Sequence, residues 1–203
     1  MNSIIDVYTA VIKENIKVRK VYPIERDMEI SGVGAKEVKA QKYCAWKLLE
    51  YALLKTFNTK IKNLEFSITK QGKWLCNNCY FSISHSHGVV AVALSNMPVG
   101  IDVEKFEMPK KDISKHIFTD SELEEYFLVK DKWQHVITCW SKKESVYKKG
   151  GEGNFNPKKI QLSDSNVIAS NICLNGQEYV LSVCADELKN IQYYHDISAD
   201  KVY

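Results

Sequence analysis

Two acidic residues alternate along one short, apolar segment of the chain. The segment Gly100-Ile101-Asp102-Val103-Glu104 has the alternation of a β-strand, in which successive side chains point to opposite faces. Asp102 and Glu104 therefore share one face, about 7 Å apart by two strand rises, while Ile101 and Val103 face a core. Paired carboxylates repel each other unless a cation neutralises them, and Mg²⁺ binds through one or two carboxylates together with substrate phosphates. The alternative is an ordinary strand with one solvated face.

A second candidate group lies on a segment with helical spacing. In Trp140-Ser141-Lys142-Lys143-Glu144-Ser145-Val146-Tyr147-Lys148, Glu144 and Lys148 are four residues apart and are therefore neighbours on one helix face. Alone, they would form an ordinary exposed pair that adds roughly a few tenths of a kcal/mol. Beside the strand with Asp102 and Glu104, the same helix could bring a third carboxylate to a metal and a lysine to the phosphate that the metal holds.

Two further segments carry reactive side chains. In Phe81-Ser82-Ile83-Ser84-His85-Ser86-His87, hydroxyls, an imidazole and backbone N–H groups could bind an anion. A Ser-His pair also suggests a hydrolase, but no Gly-x-Ser-x-Gly segment accompanies it. Cys76-Asn77-Asn78-Cys79 could form a zinc site with His85 and His87. A loop with two incidental thiols is the preferred interpretation, because a second Cys-x-x-Cys is absent from the sequence.

Composition limits the kinds of protein that can carry these groups. The 203 residues are 45% apolar and 26% charged, which is typical of one globular domain or two small ones. The sequence contains neither a signal-peptide pattern nor an apolar run of about 18 residues. We therefore expect a cytoplasmic protein that binds no membrane and whose six cysteines are free.

The basic residues bear on the anions that the protein could bind. The net charge is only +3, and there is no basic–aromatic RNA motif, so we expect no nucleic-acid partner. Of the 28 basic residues, only Arg19 and Arg26 are arginines. Any anion site is therefore expected to consist of lysines, which bind as mobile point charges.

The predicted elements repeat in the two halves of the chain. Helices are predicted over residues 35–57 and 133–149, with a glycine run at 150–153 ending the second, and Thr119-Asp120-Ser121-Glu122 resembles a capped helix start. Strands are predicted over 64–68, 81–84, 89–94, 99–104, 159–162 and 179–183, with a hairpin turn at Asn175-Gly176. We interpret the repeated order as an α+β fold of two similar α/β halves, residues 1–105 and 106–203. Each half would pack a helix on a small antiparallel sheet, and pseudo-twofold symmetry would relate them, with the active site at their junction. Coincidence in a mixed α/β protein is the alternative.

Four motifs, in order, resemble those of the phosphopantetheinyl transferase superfamily, in its larger, monomeric, Sfp-type branch. The family's Gly-Ile-Asp-Ile/Val-Glu strand is matched by 100–104, its Trp-Ser/Thr-x-Lys-Glu-Ser/Ala-x-x-Lys helix by 140–148, and its Phe-x-Ile/Leu-Ser-His-Ser segment by 81–86. Gly72-Lys73 matches a fourth motif, although Trp74 replaces the usual proline. The resemblance covers roughly residues 35–165.

This resemblance implies an activity and a set of site residues. A member of this family transfers 4′-phosphopantetheine from coenzyme A to a serine hydroxyl of an apo acyl or peptidyl carrier protein, with Mg²⁺ or Mn²⁺ as cofactor, and releases 3′,5′-ADP. The metal ligands would be Asp102, Glu104 and Glu144. Glu144 and Lys148 would be catalytic, with Glu122 as a secondary candidate. Coenzyme A would contact Lys73, Ser84, His85, Lys47 and Lys148, with His85 facing the 3′-phosphate.

Two other functions remain open from the residues alone. Another Mg²⁺-dependent phosphotransferase or hydrolase could use the same carboxylates on a nucleotide pyrophosphate. A lysine-rich nucleic-acid-binding module is the second alternative, which the near-neutral charge balance disfavours. Carrier proteins of fatty-acid, polyketide and peptide synthesis are acidic as a class, so a lysine-rich surface suits any of them.

Overall fold

The structure is a computed structural model that describes residues 3–108, 111–150 and 153–203. Within these ranges the chain forms nine strands: β1 Ile5–Val11, β2 Phe66–Ile68, β3 Trp74–Cys76, β4 Tyr80–Ser86, β5 Val89–Ser95, β6 Val99–Lys105, β7 Val167–Leu174, β8 Gln177–Ala185 and β9 Ile191–Tyr194. The same ranges contain six α-helices: α1 Ile24–Ser31, α2 Lys36–Phe57, α3 Ser114–Ile117, α4 Asp120–Leu128, α5 Lys132–Gly150 and α6 Ala199–Val202. None of these helices is both long and apolar enough to cross a membrane. The predicted α+β class is confirmed.

The strands form two main sheets and one small hairpin. The first sheet has the order β4-β5-β1-β9, in which β9 runs parallel to β1 and the other pairs are antiparallel. The second is antiparallel with the order β6-β8-β7, and β2 pairs with β3 separately. Asn175 and Gly176, with φ of 49° and 70°, form the predicted hairpin turn between β7 and β8.

The sheets and the two long helices stack in four layers. One core lies between α2 and the outer face of the first sheet, where Trp46 and Leu49 pack among residues such as Val92. A second core lies between the two sheets and includes Ile101 and Val103, both fully buried. Helix α5 covers the other face of the second sheet. The predicted core-facing side of the acidic strand is therefore confirmed.

The main chains of β6 and α5 touch at Gly100. A Cβ added there would lie 1.9 Å from the carbonyl oxygen of Ser145 and 2.5 Å from the backbone nitrogen of Lys149. Real side chains cannot fit such distances, so only glycine allows this approach. The contact brings the acidic face of β6 against the helix that carries the second candidate group.

Some predicted elements differ from those of the structure. Residues 159–162 are not a strand, because Pro157–Lys159 and Leu162–Asp164 form single 3₁₀ turns and the strand of this region is β7. Proline at the first position favours such a turn, since its fixed φ suits a helical start. Strands β1, β3 and β9 and helices α1 and α6 were not predicted. The glycine run expected to end α5 lies partly outside the described residues, with Gly150 the last helical residue.

The division into residues 1–105 and 106–203, and the pseudo-twofold relation between them, stay predictions. Strand pairing crosses residue 105 twice, because β6 pairs with β8 and β9 pairs with β1. Helix α6 also packs on α2, with Val202 in the first core. The two sheets therefore each contain strands from both parts of the sequence.

Candidate active site

A half-open cavity of about 480 Å³ lies where α1, α2, β4, β6 and α5 meet. Two groups of charged side chains line it. We call the first the acidic cluster, which consists of Asp102, Glu104, Glu144 and Lys148. We call the second the basic cluster, which consists of Arg26, Glu29 and Lys42. Lys73, Ser84 and His85 line the same cavity.

The acidic cluster joins the two segments that the sequence singled out. Strand alternation turns Asp102 and Glu104 towards α5, and helical spacing places Glu144 and Lys148 on the facing turn. The Lys148 Nζ lies 2.7 Å from Asp102 Oδ1 and 3.1 Å from Glu144 Oε2. Asp102 is only 1% exposed. This is therefore neither a solvated strand face nor an isolated helix pair.

Negative charge exceeds positive charge within this cluster. Burial, and then the charge of Asp102, raises the pKa of Glu104 to about 7, against a hydrogen bond from Ser86. Burial and Asp102 also raise the pKa of Glu144, although Lys148 opposes them. Burial alone would lower the pKa of Lys148, but Asp102 and Glu144 outweigh it and raise that pKa. The cluster therefore favours an additional cation.

The donor set fits a divalent cation in its chemistry. Among the described residues, the Asp102 Oδ2 is a buried oxygen without a hydrogen-bond partner, and carboxylate oxygens are the ligands that Mg²⁺ prefers. In the same residues, no three His, Cys, Asp or Glu side chains form a ready-made metal-binding group. The alternative zinc set of Cys76, Cys79, His85 and His87 likewise does not form such a group.

Ser84 and His85 line the cavity from β4. The Ser84 hydroxyl donates to Asp102 Oδ1 at 2.8 Å and accepts from Lys148 Nζ at 3.1 Å. Burial, and then the charges of Lys148 and Lys42, lower the pKa of His85 below its usual value. The imidazole is therefore neutral at pH 7. Ser84 lies in the strand predicted over 81–84, and β4 continues through His85 to Ser86.

Lys73 reaches the cavity from the loop before β3. Its Nζ donates to the carbonyl oxygens of Lys148 and Lys149, at 2.6 and 2.8 Å, in the last turn of α5. An ammonium at a helix C-terminus satisfies free carbonyls and interacts favourably with the helix dipole. Burial lowers the pKa of Lys73. Lys73 thus ties its loop, and with it the start of β3 at Trp74, to the helix of the acidic cluster.

On α2, Lys42 lines the cavity and the expected Lys47 does not. Lys47 instead pairs with Glu50 on the same helix. Five residues of an α-helix turn the side chain by about 140°, so the two lysines cannot face the same cavity. The Lys42 Nζ lies 2.7 Å from Glu29 Oε1.

The basic cluster also contains a buried arginine that sequence reasoning did not assign to the site. Arg26 has a side chain only 4% exposed, lies 4.8 Å from the ring centre of Trp46, and donates from Nη1 to Glu29 Oε2 at 2.6 Å. Trp74 Nε1 donates to the same oxygen at 3.0 Å. Although burial raises it, Lys42 and Arg26 lower the pKa of Glu29 to about 2. The cationic side chains that line the cavity are thus not lysines alone. The sequence signal that could have pointed to Arg26 is that it is one of only two arginines.

Glu122 lies outside the cavity lining. Its Oε2 accepts the Thr119 N–H at 2.8 Å, which completes the predicted capping box of α4, and also accepts Lys143 Nζ. Lys143 is fully buried and donates further to the carbonyl oxygens of Ile117 and Pro157, both at 2.9 Å. The contacts of Glu122 therefore fasten α4 to α5, and its expected catalytic role stays a prediction.

An α+β chain with clustered carboxylates, cations and a neutral imidazole in one cavity has the parts of an enzyme active site. Comparison with known proteins identifies the class. Residues 98–199 match the family model of the 4′-phosphopantetheinyl transferase superfamily. The match includes both segments of the acidic cluster.

Curated relatives agree with this match. The chain is 27% identical over 157 residues to a 4′-phosphopantetheinyl transferase of Bacillus subtilis, covering 68% of the chain and 70% of the relative. It is 28% identical over 147 residues to the 4′-phosphopantetheinyl transferase gsp of Aneurinibacillus migulanus, covering 70% and 61%. To the 4′-phosphopantetheinyl transferase Sfp of Bacillus subtilis strain 168 it is 30% identical over 112 residues, covering 52% and 50%. The chain thus belongs to the 4′-phosphopantetheinyl transferase superfamily, a family of enzymes, and the resemblance seen in its motifs is confirmed.

Proposed function

We propose that the protein transfers the 4′-phosphopantetheine group of coenzyme A to a serine hydroxyl of an apo acyl or peptidyl carrier protein and releases 3′,5′-ADP. One observation carries the proposal. In a chain of this family, the acidic cluster and the basic cluster line the same cavity. The proposal includes Mg²⁺ or Mn²⁺ as cofactor and a monomeric enzyme. It also includes a cytoplasmic location, which is supported by the free state of all six cysteines.

Asp102, Glu104 and Glu144 would hold the cation. The buried, unpartnered Oδ2 of Asp102 supports this role, as does the excess of negative charge in the acidic cluster. When bound, a divalent cation would neutralise the pyrophosphate and stabilise the charge that develops during transfer.

Glu144 would accept the proton of the carrier serine as the serine oxygen attacks the β-phosphorus. The new bond joins this oxygen to phosphorus, and the bond from phosphorus to the bridging oxygen of 3′,5′-ADP breaks, with the electron pair leaving on that oxygen. The raised pKa of Glu144, caused by burial and Asp102, suits a general base. Lys148, 3.1 Å from Glu144, would supply a fixed positive charge beside the transferred phosphate.

The basic cluster would bind the 3′-phosphate of coenzyme A. Lys42 replaces Lys47 in this role because it lines the cavity, and Arg26 lies beside it. The neutral imidazole of His85 could donate one hydrogen bond to the same phosphate. Lys73 would stay near the pyrophosphate while it holds the end of α5.

Intact mass spectrometry of apo carrier proteins tests the proposal. After incubation with coenzyme A and Mg²⁺, we expect the carrier to gain one phosphopantetheine group. A carrier whose acceptor serine is replaced by alanine, and a reaction with a chelator, serve as controls and should gain nothing. No gain on any of several acyl and peptidyl carriers would overturn the proposal. Release of phosphate or ADP from coenzyme A without a carrier would favour the hydrolase alternative.

A further inference from the structure

Strand β4 presents a serine at every second position on the side that faces β6. All three serines are buried, with at most 6% of each exposed. Their hydroxyl oxygens accept backbone N–H groups of β6 in a regular series: Ile101 to Ser82 at 3.0 Å, Val103 to Ser84 at 3.3 Å, and Lys105 to Ser86 at 3.3 Å. The constant offset of 19 residues means that the two strands run parallel at this junction.

These hydroxyls satisfy backbone groups that no strand partner reaches. β4 is the edge strand of the first sheet, and β6 is the edge strand of the second. Buried N–H groups on an edge strand need acceptors, because an unpaired buried donor is costly. The serine side chains supply these acceptors and join the two sheets beside the cavity.

Two of the three serines also donate a hydrogen bond to a carboxylate, whereas Ser82 has no carboxylate opposite it. The residue 18 positions after each serine lies opposite its hydroxyl. Ser84 donates to Asp102 Oδ1 and Ser86 donates to Glu104 Oε2, both at 2.8 Å. The residue opposite Ser82 is Gly100, which has no side chain to accept a bond.

Ser86 donates to the Oε2 oxygen of Glu104. The other oxygen, Oε1, accepts a longer hydrogen bond from Trp140 Nε1 at 3.3 Å. Ser86 Oγ also lies 3.0 Å from His87 Nδ1, which must be the donor in that contact when the serine hydroxyl donates to Glu104. Ser86 does not line the cavity, whereas Glu104 does, so Ser86 contacts the carboxylate from the side away from the cavity.

We propose that Ser86 is a positioning residue, whose hydroxyl fixes the carboxylate of Glu104 so that a divalent cation in the cavity meets a ligand already oriented. The inference rests on the proposed function, because the cation is part of it. Groups that hydrogen-bond to metal ligands typically change metal affinity by about 10- to 100-fold when removed. Ser82 is the matched control for Ser86, because it accepts the same kind of backbone hydrogen bond from β6 but, among the described residues, donates to no carboxylate.

Titration with Mn²⁺, followed by the loss of its free electron paramagnetic resonance signal, tests the inference without and with saturating coenzyme A. Ser86→Ala should weaken Mn²⁺ binding about 10-fold, whereas Ser82→Ala should leave it unchanged. Ser86→Thr keeps a hydroxyl and should restore most of the affinity. In a Glu104→Gln background, Ser86→Ala should have no further effect on Mn²⁺ affinity, which shows that the serine acts through that carboxylate.

The outcomes separate this inference from the proposed function. If wild type binds Mn²⁺ and Ser86→Ala binds it as tightly as Ser82→Ala does, the serines only join the two strands and the inference is overturned. If Ser86→Ala does not fold, a Ser86→Thr variant that folds but binds Mn²⁺ as weakly as Glu104→Gln overturns it equally. If wild type binds no Mn²⁺ even with coenzyme A, both the metal-dependent function and the inference are rejected.

Discussion

The acidic and basic clusters line one cavity, but each shifts the pKa of a glutamate in the opposite direction. Burial and the charge of Asp102 raise the pKa of Glu104 to about 7. Glu29 is also partly buried, yet Lys42 and Arg26 lower its pKa to about 2. Burial alone would push both values upward, so the neighbouring charges decide the difference.

The comparison indicates what each cluster lacks. In the acidic cluster, one ammonium faces three carboxylates; in the basic cluster, one carboxylate faces a guanidinium and an ammonium. The first therefore favours an added cation and the second an added anion. A ligand that carries a metal-bound pyrophosphate at one point and a separate phosphate at another would satisfy both, and coenzyme A has this charge pattern.

The largest effect is expected from Asp102→Asn, which removes one charge of the acidic cluster and preserves its shape. Because metal stabilisation of transferred phosphate is worth several kcal/mol, we expect the transfer rate to fall by at least about 100-fold. Initial rates with an apo carrier measure this. Thermal unfolding should stay close to wild type, since Lys148 keeps Glu144 as a partner. A variant with more than a tenth of the wild-type rate would contradict the assignment.

Gly100→Ala should break the acidic cluster by separating its two elements. The added methyl group would meet Ser145 O at 1.9 Å, so β6 and α5 must move apart, and overpacking of this kind costs about 1–3 kcal/mol. Urea unfolding measures the loss. Gly34→Ala is the matched control, because a Cβ there meets nothing within 4 Å. Equal stability of the two variants would show that the close contact is not needed.

Lys42→Met tests the basic cluster separately. We expect the dissociation constant for coenzyme A to rise about 10-fold, as for loss of one charge-assisted hydrogen bond, with little change for dephospho-coenzyme A, which lacks the 3′-phosphate. Isothermal titration calorimetry measures both ligands. Lys47→Met removes the same charge from a helix face outside the cavity and should leave both affinities unchanged. A similar loss in both variants would indicate general electrostatic attraction instead.

The smallest effect concerns Cys76, which ends β3 and belongs to neither cluster. A hydrogen bond from Cys79, together with nearby backbone N–H groups, lowers the pKa of Cys76 to about 6. Its alkylation by iodoacetamide should therefore rise with pH around a midpoint of about 6, since only the thiolate reacts. Cys79→Ala should move this midpoint upward. Peptide mass mapping gives the rates, and alkylation that weakened coenzyme A binding would connect the thiol to the basic cluster.

The acidic cluster could be predicted from the sequence because each half follows a local rule. Strand alternation places Asp102 with Glu104, and helical spacing places Glu144 with Lys148. Local rules do not show that these two pairs of residues lie side by side. The resemblance to the family motifs led to that expectation. The same period of two was visible in Ser82, Ser84 and Ser86, but these residues were interpreted as part of an anion-binding segment.

The basic cluster depends on contacts that local rules do not contain. Helix α2 is buried over much of its surface, so apolar spacing does not show whether Lys42 or Lys47 faces the cavity. Arg26 reaches the site only because Trp46 and Trp74 from two other elements surround its guanidinium. Glu122 shows the same limit, since its capping role was visible in the sequence but its ion pair with the buried Lys143 was not.

The parallel pairing of β1 with β9 sets an order on folding during synthesis. Ile5 of β1 pairs with Ile191 of β9, so 186 residues separate these partners in the sequence. The backbone N–H of Ile197 also donates to the Thr9 carbonyl at 2.8 Å. During synthesis, one side of β1 must therefore stay without this partner until β9 has been made. Proteins made with early stops before residue 191 should expose this strand edge and associate through it.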